Sequence, residues 1–108
     1  MFWSTPKILI IVLKRFNNIG EKINKLIDFP LTNLNLNKYC IGYQRKTNIY
    51  NLFGVCNHIG DLDSGHYYSY CLKNKDWLNY NDESVTLIDK SNIITRNCYC
   101  LFYRKIIQ

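Results

Sequence analysis

Two short aromatic runs separated by four polar residues restrict the folds open to this chain more than any other feature. Tyr67-Tyr68-Ser69-Tyr70-Cys71-Leu72 and Trp77-Leu78-Asn79-Tyr80 have strand composition, and Lys73-Asn74-Lys75-Asp76 between them has the length and polarity of a hairpin loop. Centring the turn between Asn74 and Lys75 gives antiparallel partners whose numbers sum to 149, so Tyr68 faces Asn81 and Tyr67 faces Asp82. Side chains alternate along a strand. His66 therefore shares a face with Tyr68 and with Asn81, its diagonal neighbour at about 7–8 Å between backbones. Asp82 is expected on the opposite face, unless a one-residue bulge exchanges it with Asn81.

A histidine next to a carboxamide, at the start of a strand that follows a glycine-bearing loop, is the base and orienter half of a nucleophilic site. Its unperturbed pKa lies near neutrality, and a group holding one ring nitrogen would set both tautomer and orientation. The same spacing is more often that of a hairpin histidine that only hydrogen-bonds a neighbour. Both readings stand on spacing alone.

Length allows one domain at most, since 108 residues can bury a core but are few for a sheet-rich enzyme with its own cleft. An apolar fraction of 47%, with nine tyrosines among the aromatic residues, argues for β-rich packing and against disorder. The formal charge of +6 raises nucleic acid as a partner, but Lys14-Arg15, Arg45-Lys46 and Arg104-Lys105 are scattered pairs with no zinc-finger, RRM or KH signature. A solvated basic surface is the expectation, with no nucleic-acid partner. The five cysteines, Cys40, Cys56, Cys71, Cys98 and Cys100, are odd in number and form no C-x-x-C pair, so no disulfide framework and no metal site is expected. A reducing compartment, cytoplasmic or nuclear, follows. Cys98 and Cys100 are expected on one strand face as small buried hydrophobes. No membrane span is expected either: Ile8–Leu13 is six apolar residues long against the ~20 required.

Met1–Thr5 is not expected to be ordered by itself. The run from Ile8 to Phe16 reads as a strand buried on both faces. Asn17–Gly20 breaks it, and residues 21–28 could be a helical turn or an irregular strand. After the Phe29-Pro30-Leu31 corner, Leu34, Leu36 and Tyr39 alternate with polar residues as a half-buried strand does. Tyr43–Asn48 reads as a turn and Tyr50–His58 as a strand, in which Gly54 marks close packing or a bulge. Ser84–Ile88 reads as a short strand, Asp89 or Ser91 as the cap of a helical turn through Asn92–Thr95, and Cys98–Arg104 as the last buried strand. The expected class is α+β with a mainly antiparallel sheet and little helix. Little in the chain would cover such a sheet, so it is expected to be part of a larger body.

Several blocks, in order, resemble the C-terminal part of the catalytic core of the ubiquitin-specific proteases, papain-like cysteine deubiquitinases. Pro6-Lys7-Ile8-Leu9 through Leu13-Lys14-Arg15-Phe16 resembles the family's L-P-x-x-L-x-x-x-L-K-R-F strand, and Ile27-Asp28-Phe29-Pro30-Leu31 its F-P block. Tyr50-x-Leu52-x-x-Val55-x-x-His58-x-Gly60, then Gly65-His66-Tyr67, is similar to the family's histidine box. Trp77-x-x-Tyr80-Asn81-Asp82-x-x-Val85 and Tyr99-x-Leu101-Phe102-Tyr103 are similar to its continuation and closing strand. The resemblance implies that His66 is the general base, Asn81 the third triad member and Asp82 an adjacent acidic helper. It implies that Ile59–Gly65 is a blocking loop over the channel for ubiquitin's Gly-Gly tail, with Gly60, Gly65 and Tyr67 lining it; His58 belongs to the family pattern too, but its place at the end of a strand makes a structural role the expectation.

By the same resemblance the reaction is thiol hydrolysis after the C-terminal glycine of ubiquitin, through an acyl-enzyme and without a cofactor. The family's cysteine box, which opens a helix far upstream, has no counterpart in these 108 residues, nor do its oxyanion-hole residues or the zinc-binding pairs of its fingers. Residues 1–108 are therefore expected to be a partial catalytic domain, the histidine-box half, inactive alone. The alternative is an inactive, vestigial module that still binds ubiquitin. Partners expected are ubiquitin or a ubiquitinated protein and an N-terminal cysteine-box segment.

Overall fold

The structure is a computed structural model that describes residues 6–39, 48–61 and 64–106. Among the described residues seven strands form one antiparallel sheet: β1 (Ile8–Val12), β2 (Leu34–Asn35), β3 (Ile49–Ile59), β4 (His66–Lys73), β5 (Asp76–Asn81), β6 (Ser84–Ile88) and β7 (Cys98–Lys105), with 3₁₀ turns at Asn37–Tyr39 and Lys90–Asn92. The order across the sheet is β1-β7-β3-β4-β5-β6, with β2 also paired to β3. The chain is mainly antiparallel sheet with little helix, as its alternation predicts.

The eleven-residue β3 organises the rest. One of its edges pairs with β7 along most of its length. The other is divided between β2, at Ile49 and Tyr50, and β4, from Gly54 to Ile59. Between the two, Leu52 N–H donates to the Leu31 carbonyl at 2.8 Å, so the strand keeps a partner across the gap.

Residues paired across strands share a face. One face carries Tyr50, Leu52, Val55, Tyr70, Leu101 and Tyr103, all buried, and Phe29 and Ile93 from the connecting segments close over it. Tyr103 Oη donates to the Pro30 carbonyl at 2.7 Å, and Tyr50 Oη donates to that of Pro6, so both phenols find acceptors where they are buried. Irregular backbone, rather than helix, supplies the covering layer.

The other face is open, and it corrects the expectation for the first strand. Ile8, Ile10 and Val12 are 42%, 55% and 58% exposed, while Leu9 and Ile11 turn to the core. The apolar run does present two apolar faces, but β1 is an edge strand and only one of its faces is covered among the described residues. Val85 and Leu87 on β6 are exposed on the same open face.

Other departures have local causes. The alternation at Leu34 to Tyr39 is cut short because Asn35 Oδ1 accepts from Asn37 N–H at 2.9 Å, an Asx turn that ends β2 after two residues. Residues 21–28 hold neither a helical turn nor a strand, apart from the bridge between Phe16 and Lys22. Asp89 does cap a turn, accepting from Ser91 N–H at 2.9 Å, and that bond holds its carboxyl below the usual range; the turn spans Lys90–Asn92 rather than Asn92–Thr95. Gly54 sits at a register shift between Leu52 and Gly54 against β7, which is the bulge reading. The expected turn at Tyr43–Asn48 lies, but for Asn48, outside the described residues, as do Met1–Thr5 and Cys40.

Candidate active-site half

The β4–β5 hairpin closes with Asn74 at φ +58°, a left-handed conformation that a two-residue loop requires and that Asn tolerates. Its ladder runs Lys73–Asp76, Leu72–Trp77, Cys71–Leu78, Tyr70–Asn79 and Ser69–Tyr80, the register read from the sequence. Pairing stops there. Asn81 turns instead into a second two-residue hairpin, Asp82-Glu83, and pairs with Ser84. Freed from β4 but still on its predicted face, the Asn81 side chain reaches His66: Asn81 Oδ1 lies 2.7 Å from His66 Nε2.

Asp82 departs from expectation. It has φ +52°, so it leaves the strand before alternation can send its side chain to the opposite face. Its Oδ2 comes to 4.0 Å from His66 Nε2, with the two side chains 79% and 45% exposed. His66, Asn81 and Asp82 thus meet at one sheet end. A carboxamide oxygen can only accept, so the bond to Asn81 places the proton of a neutral His66 ring on Nε2 and leaves Nδ1 bare.

His58, the other histidine, is built differently. It lies near the end of β3, opposite Tyr67, and is 1% exposed. Its ring packs against Phe16, Tyr67 and Tyr99, with the Tyr67 centroid 4.7 Å away. Burial, then the Lys22 ammonium, lower its pKa below the ordinary histidine value, partly offset by a hydrogen bond to the Asp61 backbone. The Lys22 ammonium donates to the His58 carbonyl, pinning this end of β3 to the segment after β1.

The described ends of the segment between β3 and β4 close onto that ring. A Cβ on Gly65 would sit 1.8 Å from His58 Nε2 and 2.8 Å from the Asp61 carbonyl, so no side chain fits there. Gly60 has φ +99°, and a Cβ on it would be 3.2 Å from Gly65 Cα. The two glycines therefore let the ends of the loop touch, and Leu62 and Asp63 between them lie outside the described residues. Tyr67, 56% exposed, points to the face opposite His66 and rests on His58 and Tyr99.

Three of the described cysteines have their thiols held toward the protonated form by burial. Burial pushes the Cys98 thiol up to about 11 and raises those of Cys56 and Cys100. Sequence reasoning missed the long-range supports of the site, Lys22 under His58 and Asn97, whose Nδ2 donates to Tyr68 Oη at 3.0 Å. Both contacts join segments far apart in the chain, and no local pattern marks them.

Comparisons with known proteins agree with this fold. A family model described as "Ubiquitin carboxyl-terminal hydrolase" matches residues 1–103. Human ubiquitin carboxyl-terminal hydrolase 19 is 37% identical over 119 aligned residues, which cover 97% of this chain and 9% of that protein. Mouse ubiquitin carboxyl-terminal hydrolase 43 is 36% identical over 133, covering 95% and 12%. Among solved structures, the Ubp8-Sgf11-Sgf73-Sus1 SAGA DUB module contains a chain that superposes with a TM-score of 0.82 at 32% identity, over 94% of this chain and 24% of that one. The module bound to ubiquitin aldehyde gives 0.81 at 31% identity. This chain spans about a tenth of the curated relatives and a quarter of the solved chains.

Proposed function

The chain belongs to the ubiquitin carboxyl-terminal hydrolase family, with the fold of its ubiquitin-specific proteases, and from that premise we propose that it supplies the general base and its orienter to a cysteine-type deubiquitinase. The observation that carries this reading is the 2.7 Å contact between His66 Nε2 and Asn81 Oδ1, which leaves Nδ1 unprotonated on a side chain that is 45% exposed. Nδ1 would take the proton of a thiol supplied by another segment of the assembled enzyme. The thiolate would attack the carbonyl of the peptide or isopeptide bond after ubiquitin's C-terminal glycine, and the imidazolium would return its proton to the leaving amine. Water activated by the same nitrogen would then release the acyl group. Asp82, whose Oδ2 lies 4.0 Å from Nε2, would stand as an acidic neighbour on the same side of the ring. Gly60, Gly65 and Tyr67 would shape the passage for the glycine tail.

The test is a chimera in which this chain replaces the matching part of Ubp8, assayed by release of a fluorophore from the ubiquitin C-terminus. Activity is expected, and His66→Ala should lower it by about 10²–10⁴-fold. Activity untouched by His66→Ala overturns the assignment of the base. A second reading, a ubiquitin-binding module without catalysis, is favoured by the raised pKa values of the cysteines. It predicts that the isolated chain shows saturable shift changes when titrated with ubiquitin, and that the chimera is inert.

A further inference from the structure

The register between the two central strands places Cys56 of β3 directly opposite Cys100 of β7. Directly opposed residues of an antiparallel pair have Cα atoms about 4.5 or about 5.5 Å apart, according to whether they are bracketed by hydrogen bonds. Both values fall inside the span of about 4.4–6.8 Å that a disulfide accommodates. Both thiols are free, and both residues are half-buried on the open face of the sheet rather than in the core.

The neighbouring cysteines are excluded by the same register. On β7 the pairing jumps from Cys100 opposite Cys56 to Cys98 opposite Asn57, so Tyr99 is an extra residue in a bulge. The bulge turns Cys98 to the covered face, where it is 0% exposed. The expectation that Cys98 and Cys100 share a face is thereby corrected. Cys71 on β4 faces Gly54, whereas Cys56 faces Ser69, so Cys71 is only diagonal to Cys56. Such diagonal neighbours stand about 7–8 Å apart, beyond the reach of a disulfide.

We propose that Cys56 and Cys100 form a cross-strand dithiol, a modification site that small-molecule disulfides oxidise to a bond clamping β3 to β7. The step is two successive exchanges with a disulfide such as oxidised glutathione. One cysteine sulfur, as its thiolate, attacks a glutathione sulfur and expels one glutathione thiolate. The second cysteine then attacks the mixed disulfide and expels the other. Two cysteine sulfurs are oxidised, one glutathione disulfide is reduced to two thiols, and the two cysteine protons end on them. Burial raises the pKa of both thiols, so the attacking thiolate is a minor form at neutral pH and the exchange speeds up as pH rises. The bond would close a loop that contains His66 and Asn81, and it is independent of the deubiquitinase reading.

The test is thiol mapping by mass spectrometry after the native chain is incubated with oxidised glutathione and the remaining thiols are alkylated. A single internal linkage between Cys56 and Cys100 is expected, kept in Cys71→Ala and Cys98→Ala variants, with the thermal midpoint raised by about 10 °C. Cys56→Ser should leave Cys100 as a glutathione adduct with no internal bond, and Cys100→Ser the converse. Free thiols or separate adducts at both positions in the native chain overturn the proposal. So does a mixture of linkages no different from that formed in denaturant.

Discussion

The two histidines stand eight positions apart on either side of one loop, and their surroundings could hardly differ more. His58 is sealed among three aromatic rings, its pKa lowered by burial and by a lysine. His66 projects from a strand end, nearly half exposed, with one nitrogen held by Asn81 and the other bare. A buried, neutral imidazole is a packing unit. An exposed imidazole with a fixed tautomer is chemistry in waiting. The difference teaches how one loop end can be seated on a buried ring: His58 is the floor on which Gly65 lies, and Gly65 precedes His66 in the chain.

The comparison breaks most sharply if the histidines exchange roles under mutation. In the active chimera His66→Ala should cost about 10³-fold in kcat/KM, roughly 4 kcal/mol of transition-state stabilisation. Its denaturant midpoint should stay within about 0.5 kcal/mol of the parent in stability. A destabilised His66→Ala would erase the distinction. Gly65→Ala should act through His58: the added methyl would lie 1.8 Å from a ring nitrogen that has nowhere to go, and a loss of about 3 kcal/mol is expected by urea titration. A Gly65→Ala chain as stable as the parent would show that the loop is not seated on the ring.

Asn81→Ala tests the exposed side more gently. It removes the acceptor at 2.7 Å and should lower kcat/KM by about 10²-fold with little change in KM, because the ring loses its orientation rather than its proton chemistry. An unchanged kcat would mean that Asp82 alone suffices to hold the ring.

The smallest effect is on the pH dependence of stability. The folded pKa of His58 is depressed, so between that value and the unfolded pKa of about 6.5 the unfolded state binds more protons. Stability from this group is therefore full above about pH 6.5 and is lost as pH falls through the depressed folded value. Replacing it by His58→Phe should flatten the acid side of the curve in urea titrations at stepped pH. An unaltered slope would show that His58 is not buried in its neutral form.

Reading by period two succeeded wherever the strands stayed regular. The Asn74-Lys75 turn was enough to set the β4–β5 register, and with it the shared face of His66 and Asn81. It failed where one residue stepped out of the alternation. The bulge at Tyr99 sent Cys98 and Cys100 to opposite faces, and the left-handed Asp82 swung its carboxylate toward His66 instead of away. The error at Ile8–Val12 was of another kind, because an apolar run reports that two faces could be buried and cannot report which of them meets a partner.

What the amino-acid sequence determined by itself is local: strand content, the tight turns, and the blocks by which the chain joins its family. These depend on side-chain shape and backbone preference within a few residues. Only the tertiary structure decided which histidine is floor and which is exposed, why Gly65 can be nothing else, and that Cys56 meets Cys100. Each of those facts depends on contacts between β3, β4, β7 and the segment after β1, and desolvation and steric exclusion arise only once those distant segments are packed together.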